Sequence, residues 1–458
     1  MPLISISFLL AIQPQDFWWL MQVGRETIQN GNVPITDTIS WSQAGQPIVY
    51  QQWLAGAVFY FFYNIGGITL IFLLRGFLIT ITYGVLWWMI RKVSNPILAS
   101  TLIFILGIST ANNWAVRSQL LVYPLFAICL WILLDWQNGN KKYLWLLPVS
   151  MLLWINLHGS FILLFVLSIS ALIFGNGDKK NLLITIIITF LVTFINPHTF
   201  NIWNYFVFMM NSPSDHLFAF EWAPPTNAGW QMNIFFAWFI LFAPLAKYSN
   251  HKLTRLEWVW FLGFAWLALT GLRYVIWFHF ILAIFSGALL SEFVKKINEP
   301  QKTFPQLNTS FGIFMLIIPL MFLTGLREKW MGDSVPVYEM STTPLSSTLW
   351  LIQNPQHCDN LWADYAFGGY LPFAFPSCKP WMDSRFNAYP PQQWTEYVQI
   401  TNADENWQQF FDDKNIENLF LSQAAQPKLI QAVSESDIWC EQYRDDYAVI
   451  FSRCELTP

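Results

Sequence analysis

Long apolar runs separated by short basic clusters dominate this sequence and limit what it can fold into. Many of the runs approach the roughly 20 residues that a helix needs to cross a bilayer. After a shorter apolar stub at 3–13, the runs are 68–91, 97–112, 119–136, 143–157, 160–176, 181–196, 229–246, 257–272, 274–292 and 309–326. Only 11% of the residues are charged, against roughly 25% in soluble domains. The sequence therefore predicts a polytopic α-helical membrane protein with about 10–11 transmembrane helices.

The basic clusters predict on which side of the membrane each loop lies. Twelve basic residues fall between alternate runs: Arg91, Lys92, Lys141, Lys142, Lys179, Lys180, Lys247, Lys252, Arg255, Lys295, Lys296 and Lys302. The opposite loops and the span interiors contain only Arg25, Arg75, Arg117 and Arg273 over the same stretch. By the positive-inside rule the twelve face the cytoplasm. The segments expected outside are then 14–67, 113–118, 158–159, 197–228 and everything after residue 326.

The long outer segment 14–67 is expected to contain two helices that lie on the membrane surface. The stretch 51–64, QQWLAGAVFYFFYN, is apolar but has only 14 residues. Counting it as a span would invert every later basic cluster. In FWWLMQVGRETIQNG, which begins at Phe17, apolar residues recur at helical spacing and polar residues fall on the other side. Both stretches are therefore predicted as interfacial helices.

The composition changes near Arg327, which predicts a second domain. We expect a transmembrane domain at 1–327 and a soluble extracytoplasmic α/β domain at 328–458. Four short apolar runs are predicted as strands: NLWAD, KPWMD, NLFLS and YAVIFSR. They alternate with predicted helices at 392–401, 404–414 and 425–435. The glycines of FGGY are interpreted as turn residues.

The cysteines are unevenly distributed and support the predicted topology. Cys129 lies inside a span, whereas Cys358, Cys378, Cys440 and Cys454 all lie in the C-terminal part. An even number of cysteines in a compartment that oxidises thiols suggests disulfides. Four cysteines allow three pairings, and proximity in sequence favours Cys358 with Cys378 and Cys440 with Cys454. Free buried thiols are the alternative.

Two aspartates in the first outer segment are candidate catalytic residues. Asp16 precedes the first amphipathic helix, where it could cap the helix by accepting a backbone N–H. A carboxylate at the membrane boundary could also act as a general base, or bind a divalent cation such as Mg²⁺ or Mn²⁺. Asp37 lies in a turn region, NGNVPITDTISW, so an Asx turn is its alternative to catalysis.

Four further residues on the predicted outer side form a candidate phosphate site. Arg117 and Arg273 stand against the positive-inside bias, so they either snorkel to lipid phosphates or bind a phosphate of the substrate. His158, in WINLHGSF, is a second candidate for phosphate binding, with an ordinary interfacial histidine as the alternative. Glu221, in FAFEWAPP, could supply another catalytic carboxylate.

Several function classes are not supported by the sequence. It contains no P-loop, no dinucleotide-binding glycine pattern and no zinc-protease helix. We therefore expect no nucleotide cofactor. A net charge of -4 and the lack of a basic tract argue against a nucleic acid partner.

Several segments together resemble a known superfamily. The first outer segment has an aspartate after the first apolar run, then a helix, then a G-x-x-P-x-x-D pattern before a second helix. The residues at these positions are Asp16, Gly31, Pro34 and Asp37. The segments RSQ at Arg117, WINLHGSF at 154–161 and INP at 195–197 fit the same pattern. They resemble GT-C superfamily glycosyltransferases, especially uncharacterised bacterial members related to the dolichyl-phosphate-mannose protein mannosyltransferases.

The C-terminal part carries the resemblance further, and one position departs from it. WADYAFGGYLPFAF and WMDSRFNAY resemble the extracytoplasmic segment of that group, with Gly368, Gly369, Asp383 and Arg385 at recurrent positions. Many members have an acidic residue before the tryptophan of the second interfacial helix. This sequence has Gln52 there, before Trp53, so Asp37 or Glu221 would have to replace that carboxylate.

The resemblance implies a glycosyltransferase of the bacterial cytoplasmic membrane. Such an enzyme takes a sugar from a polyprenyl-phosphate carrier and transfers it to an extracytoplasmic acceptor, which is a lipid, a glycan or a protein. The first-loop aspartate of the family, a catalytic base or metal-site residue, corresponds to Asp16. Two alternatives remain: a transporter or flippase for lipid-linked or polar solutes, and a non-catalytic scaffold of the cell envelope.

Overall fold

The computed structural model describes residues 2–13, 16–293, 317–331 and 336–454. The chain forms two compact units, each assembled from three separate stretches. The helical unit comprises Met1–Leu10, Ile65–Phe200 and Phe220–Val335. The sheet unit comprises Ala11–Asn64, Asn201–Ala219 and Pro336–Pro458. The units do not follow chain order, because two stretches before residue 327 belong to the sheet unit.

Helices make up most of the structure, and the predicted apolar runs from 68 to 292 each coincide with one. In chain order the main helices are α1 (Pro2–Leu9), α2 (Phe17–Asn30), α3 (Trp53–Val93), α4 (Pro96–Thr110), α5 (Ser118–Gln137), α6 (Leu146–Leu157), α7 (Ile162–Phe174), α8 (Lys179–Val192), α9 (Asn201–Met210), α10 (Pro213–Phe218), α11 (Trp230–Tyr248), α12 (Arg255–Thr270), α13 (Val275–Leu290), α14 (Leu326–Met331), α15 (Leu345–Gln353), α16 (Tyr365–Ala374), α17 (Pro391–Thr401), α18 (Trp407–Asp413) and α19 (Pro427–Ser434). Of the last predicted run, 309–326, only 317–326 falls within the described residues.

Several of these helices have the length and surface of membrane spans. Among the described residues, four helical segments are long and apolar enough to cross a bilayer: Trp53–Val93, Pro96–Trp114, Ser118–Gln137 and Leu272–Leu290. The shorter helix α8 exposes Leu183, Ile184, Ile187, Ile188 and Leu191 by 46–58% of their surface. An apolar stripe of this kind is unfavourable in water and favourable in lipid. The total of 10–11 spans stays a prediction.

A break inside α3 separates the two helices predicted at 51–64 and 68–91. Gly66 and Gly67 leave helical geometry, and Gly67 has a φ of 60° with a ψ of -155°. That conformation is open to glycine and is strained for residues with a Cβ atom. The sequence GG therefore ends one helix and begins the next.

The core of the helical unit is aromatic. Helix α13 is buried along nearly its whole length, and its Trp277 packs against Phe126 and Trp154 with ring centroids 4.9 and 6.2 Å apart. Aromatic pairs at these distances add packing energy beyond the area that they bury. These contacts fix α5, α6 and α13 relative to one another. Arg117 lies just before α5, His158 just after α6 and Arg273 just before α13.

Two buried arginines of the helical unit bind the end of α1. Arg75 donates to the carbonyl of Leu10, and Arg327 donates to the carbonyl of Phe8, both at 2.6 Å. The last carbonyls of a helix have no partner within the helix and carry a partial negative charge. The two guanidinium groups thus act as a C-terminal cap for a very short helix.

The sheet unit contains a four-stranded mixed sheet. Its strands are β1 (Leu361–Ala363), β2 (Asn418–Ser422), β3 (Trp439–Arg444) and β4 (Ala448–Arg453), in the order β1-β2-β4-β3. β1 and β2 are parallel, and the other pairs are antiparallel. The pairing of β3 with β4 shifts register between Glu441 and Tyr443. The predicted small α/β architecture is confirmed.

Most of the predicted elements of this sheet unit are present, but two predictions were wrong and one strand was missed. NLWAD, NLFLS and YAVIFSR form β1, β2 and β4, and the three predicted helices correspond to α17, α18 and α19. KPWMD is not a strand, since only Pro380 makes an isolated bridge, to Leu361. β3 was missed, because most of its residues are polar and exposed. FGGY is not a turn: Gly368 and Gly369 lie within α16.

The disulfides follow the pairing expected from proximity. Cys358 is bonded to Cys378, and Cys440 to Cys454, with sequence separations of 20 and 14 residues. Closing a loop of that length stabilises a domain by roughly 3 kcal/mol in the chain-entropy account. Cys129 is a free, buried cysteine.

Two glycines let α2 and the first part of α3 cross at close range inside the sheet unit. A Cβ atom on Gly56 would lie 2.3 Å from the carbonyl oxygen of Leu20, and one on Gly24 would lie 2.1 Å from that of Gly56. Both obstacles are backbone atoms, which cannot rotate away. The crossing fixes the segment between the two helices, which contains Asp37.

We expect Gly56→Ala to lower the thermal unfolding midpoint of the detergent-solubilised protein, because its methyl group forces α2 and α3 apart. The cost of such overpacking is typically about 1–3 kcal/mol. Gly84→Ala is the matched control, since Gly84 is also in α3 and nothing lies within 4 Å of its Cβ position. There the change should be neutral or stabilising by up to about 1 kcal/mol. Equal midpoints for both variants would contradict the close crossing.

Candidate functional site

Three of the predicted residues meet in the helical unit. Arg117 immediately precedes α5, Glu221 lies in a short turn, Phe220–Trp222, and Arg273 lies in another, Leu272–Tyr274. The two turns are joined by a hydrogen bond of 2.9 Å from the Leu272 amide to the Ala223 carbonyl. Arg117 Nη1 is 2.5 Å from Glu221 Oε2, and Arg273 Nη1 is 3.6 Å from Glu221 Oε1. We call Arg117, Glu221 and Arg273 the arginine cluster.

The arginine cluster carries an excess of positive charge. Two guanidinium groups share one carboxylate, and the Arg273 guanidinium also stacks over the Trp222 ring at 4.3 Å. Burial by itself raises the pKa of Glu221, but Arg117 and Arg273 outweigh it and lower that pKa to about 2. Glu221 is therefore ionised at neutral pH, and one positive charge remains. Because the Glu221 side chain keeps a third of its surface exposed, the cluster is open to a ligand.

His158 belongs to the same electrostatic environment. Its Nδ1 accepts a hydrogen bond of 3.0 Å from the Ser160 amide, which assigns the proton of the neutral ring to Nε2. Burial, together with the charges of Arg273 and Arg117, lowers the pKa of His158 to about 3. At neutral pH the imidazole is therefore an uncharged donor through Nε2.

Asp16 does not cap α2 in the expected way. It stands at the N-cap position with αR backbone angles, and its side chain makes no capping hydrogen bond. Its Oδ1 accepts a hydrogen bond of 3.3 Å from the indole of Trp19. The side chain is partly exposed.

Asp37 lies in a buried ion network of the sheet unit. Its Oδ1 accepts from the Ile39 amide at 2.8 Å, which is the Asx turn that the sequence allowed. Both of its carboxylate oxygens also accept from Arg385 Nη2 at 3.0 Å. Arg385 is bound in addition by Asp383, at 2.6 Å, and its Nη1 donates to the Tyr50 hydroxyl at 2.7 Å. We call these four residues the Arg385 network.

The Arg385 network gives Asp37 a structural role. Burial alone lowers the pKa of Arg385, but Asp383 and the other groups around it outweigh burial and raise that pKa well above its ordinary value. Both carboxylate oxygens of Asp37 accept hydrogen bonds within the sheet unit, from Arg385, the Ile39 amide and the Ser40 hydroxyl. These contacts anchor the turn that contains Asp37, and a catalytic role of Asp37 stays a prediction.

The Arg385 network forms part of the wall of a cavity of about 390 Å³ in the sheet unit. Trp19, the hydrogen-bond partner of Asp16, also lines this cavity, as does Gln52. Sequence reasoning missed the cavity and the contribution of Tyr50. The sequence offered one signal for the cavity, the many amide side chains in QPIVYQQ and NIWN. Their positions do not recur at a helical or strand spacing.

The structure does not assemble an evident metal site. Within the described residues, no group of three or more His, Cys, Asp or Glu side chains is placed to hold a metal ion. We therefore assign no step to a metal ion.

The predicted site residues thus form separate groups. The arginine cluster and His158 come together in the helical unit. Asp16 and Asp37 belong to the sheet unit, where they have different partners.

Comparisons with solved structures identify the fold. No protein-family model and no curated protein matches the sequence. The chain is similar to the oligosaccharyltransferase of Archaeoglobus fulgidus in its apo form, with a TM-score of 0.61, 10% identity and coverage of 99% of this chain and 74% of that one. The same enzyme, AglB, in complex with an inhibitory peptide and a dolichol-phosphate gives a TM-score of 0.60, 10% identity and coverage of 100% and 74%.

The mycobacterial arabinofuranosyltransferase AftD is similar as well, with a TM-score of 0.58, 14% identity and coverage of 98% of this chain and 41% of that chain. The likeness to these proteins confirms the predicted GT-C fold. At such low identities it establishes the fold alone.

We expect the Arg385 network to stabilise the sheet unit. Arg385→Gln leaves the buried carboxylates of Asp37 and Asp383 without their cation, which typically costs about 3–5 kcal/mol. Asp37→Asn removes one of the two ion pairs of Arg385 and leaves the pair with Asp383. The thermal unfolding midpoint of the detergent-solubilised protein should fall clearly in both variants. Glu441→Gln is the control, because the Glu441–Arg444 pair is about two-fifths exposed and such pairs contribute roughly 1 kcal/mol or less. An unchanged midpoint for Asp37→Asn would refute the structural role.

We expect His158 to make the protein less stable in mild acid. The unfolded chain binds a proton on this residue below about pH 6.5, whereas the folded protein does so only near pH 3. Stability should therefore fall as the pH is lowered from about 6.5 towards 3, by up to about 1.4 kcal/mol per pH unit. In thermal unfolding between pH 7 and pH 4, His158→Gln should show a shallower decline than the unchanged protein. Parallel curves would show that His158 titrates normally.

Proposed function

We propose that this protein is an integral membrane glycosyltransferase that uses a sugar linked to a polyprenyl phosphate. The observation that carries the proposal is the arginine cluster: two arginines on one carboxylate, within a GT-C fold, with one uncompensated positive charge. A stable cationic group next to a neutral N–H donor suits a phosphate. The acceptor is a hydroxyl of an extracytoplasmic lipid, glycan or protein.

The proposed donor site consists of Arg117, Arg273 and His158. The two guanidinium groups bind the phosphate oxygens, and Glu221 holds both arginines in place rather than acting as a catalytic acid or base. His158 adds a hydrogen bond from Nε2 without adding a charge. The A. fulgidus enzyme of similar fold binds a dolichol-phosphate, which supports a polyprenyl phosphate as the carrier.

The proposed reaction is a single displacement at the anomeric carbon. The acceptor oxygen forms a bond to that carbon as the bond between the carbon and the phosphate oxygen breaks. The phosphate leaves with the electron pair, and the arginine cluster stabilises the charge that it gains. Asp16 takes the proton of the acceptor hydroxyl, as a general base. No nucleotide enters the reaction, because the phosphate ester is already activated.

We place this chemistry on the outer face of a bacterial cytoplasmic membrane. The twelve basic residues between alternate runs support that orientation. The two disulfides of the sheet unit support it independently, since disulfides persist in oxidising compartments. The C-terminal residues would then be extracytoplasmic.

The proposal predicts that Asp16→Asn abolishes most of the transfer. Removing a general base typically lowers the rate about 10²- to 10⁴-fold. The full-length protein in detergent would be incubated with radiolabelled polyprenyl-phosphate sugars and an envelope lipid and glycan extract, and transfer into the extract would be measured. Asp446→Asn, an exposed aspartate of the sheet unit, is the matched control and should retain activity.

A donor titration in the same assay separates the two sites. Arg273→Gln should raise the KM for the polyprenyl-phosphate sugar, whereas Asp16→Asn should lower kcat with little change in that KM. Full activity of Asp16→Asn would remove Asp16 as the base. If the unchanged protein instead moves the lipid-linked sugar across a vesicle membrane without transferring it, a flippase is supported and the transferase is refuted.

A further inference from the structure

The cavity of the sheet unit combines apolar surface with many uncharged groups that both donate and accept hydrogen bonds. It is about 390 Å³ in volume, at the lower end of the roughly 300–1,000 Å³ that is usual for small-ligand sites. Seven of its lining residues carry side-chain amides: Gln43, Gln46, Gln51, Gln52, Asn201, Asn204 and Asn387. Ordinary ligand pockets are mostly apolar, with a few polar groups. An amide offers a donor and an acceptor side by side, which matches a ligand rich in hydroxyl groups.

The charges in the wall of this cavity are unfavourable for an anion, because the Arg385 guanidinium is shared by two carboxylates. Its charged lining residues are Asp37 and Arg385. They are paired with each other, and Arg385 is paired also with Asp383. A phosphate or a carboxylate would find no free cation there. The cavity therefore disfavours an anionic ligand, in contrast to the arginine cluster.

Aromatic side chains provide flat apolar faces beside the amides. Trp19, Tyr50, Tyr205 and Phe208 line the cavity. The Tyr205 hydroxyl is held by a hydrogen bond of 2.6 Å from Asn387 Nδ2, and Phe208 is 53% exposed. A sugar ring has hydroxyl groups around its edge and C–H groups on its faces, so it can use both kinds of surface.

A second cavity of about 310 Å³ shares one lining residue with the first. Both are lined by Gln43, and the second also by Ser42, Gln392, Gln393, Trp41, Trp381, Pro390, Glu396 and Lys414. Its two charged residues have opposite signs. Gln43 Nε2 donates to Gln393 Oε1 at 2.9 Å, and Gln393 Nε2 donates to Ser42 Oγ at 2.8 Å. The boundary between the two cavities is therefore itself formed by amide and hydroxyl groups.

We propose that the sheet unit binds a neutral oligosaccharide across two adjoining subsites that meet at Gln43. This inference rests on the proposed function in one respect: the bound saccharide is the acceptor, so the transferase extends a glycan. A polar peptide is less suited to the surface. Peptides bind most often along an open strand edge or in apolar side-chain pockets, whereas these cavities are formed by side chains from several loops and α9.

The test is a binding measurement that does not depend on catalysis. The fluorescently labelled full-length protein, in detergent, would be applied to an array of neutral glycans of one to six sugar units. Affinities of the bound glycans would then be measured by calorimetry. We expect binding to at least one unbranched series, with affinity rising at least tenfold from the monosaccharide to the tetrasaccharide, because longer chains reach the second subsite.

Two variants test the two subsites one at a time. Asn204→Ala, in the first cavity, should lower the affinity for every glycan about five- to tenfold, which is the loss expected for a missing hydrogen bond. Gln392→Ala, in the second cavity, should lower the affinity for the longer glycans alone, by a similar factor. Asn211→Ala is the matched control: Asn211 is an exposed amide directly after α9, and it does not line either cavity. It should bind as the unchanged protein does.

Several outcomes overturn the inference, and they differ from failure of the transferase. No binding to any neutral glycan, unchanged binding by Asn204→Ala, or displacement of the glycan by a neutral Asn- and Ser-rich hexapeptide would each refute the saccharide site. Transfer to a lipid acceptor without glycan binding leaves the proposed transferase intact and removes this inference. Glycan binding with the expected variant pattern, but without transfer, supports the saccharide site and removes the transferase.

Discussion

A single buried guanidinium group, that of Arg385, connects parts of the sheet unit that are far apart in sequence. Asp37 and Tyr50 come from the first outer segment, and Asp383 lies close to Arg385 near the C-terminal end. Charges buried in this way add little net stability over apolar residues of the same size, but they are costly to leave unpaired. The network therefore specifies one arrangement of these segments. The first cavity depends on it, because Asp37, Tyr50 and Arg385 all form its wall.

The arginines of the helical unit show how one residue type can serve two purposes. Arg75 and Arg327 are almost fully buried, and each donates to a backbone carbonyl at the end of α1. Arg117 and Arg273 instead share a partly exposed carboxylate. The first pair compensates for a helix end, which is a structural requirement. The second keeps a net positive charge beside a carboxylate that is one-third exposed, and this is the group that we propose for phosphate binding.

The sequence predicted the features that depend on regular patterns. Apolar runs and basic clusters predicted the helices from 68 to 292. The stretch 51–64 was predicted as a separate helix because its 14 residues are too few for a span, and the break at Gly66 and Gly67 agrees with that division. It could not predict the role of Asp37, because the partner Arg385 is 348 residues away. KPWMD was mistaken for a strand, since its composition is apolar whereas its backbone pairs only at Pro380. The amide residues that line the cavities do not recur at a helical or strand spacing in the sequence, so only the fold brings them together.

The edge strand β3 has a consequence for how this protein reaches its folded state. An unpaired strand edge is a template on which other chains can aggregate. β3 exposes Glu441 and Arg444, changes register after Glu441 and is tied to the residue that follows β4 by the disulfide Cys440–Cys454. Charge, irregular pairing and a covalent link all hinder the addition of a foreign strand. A sheet edge protected in this way resists pairing with strands of other chains while the protein folds.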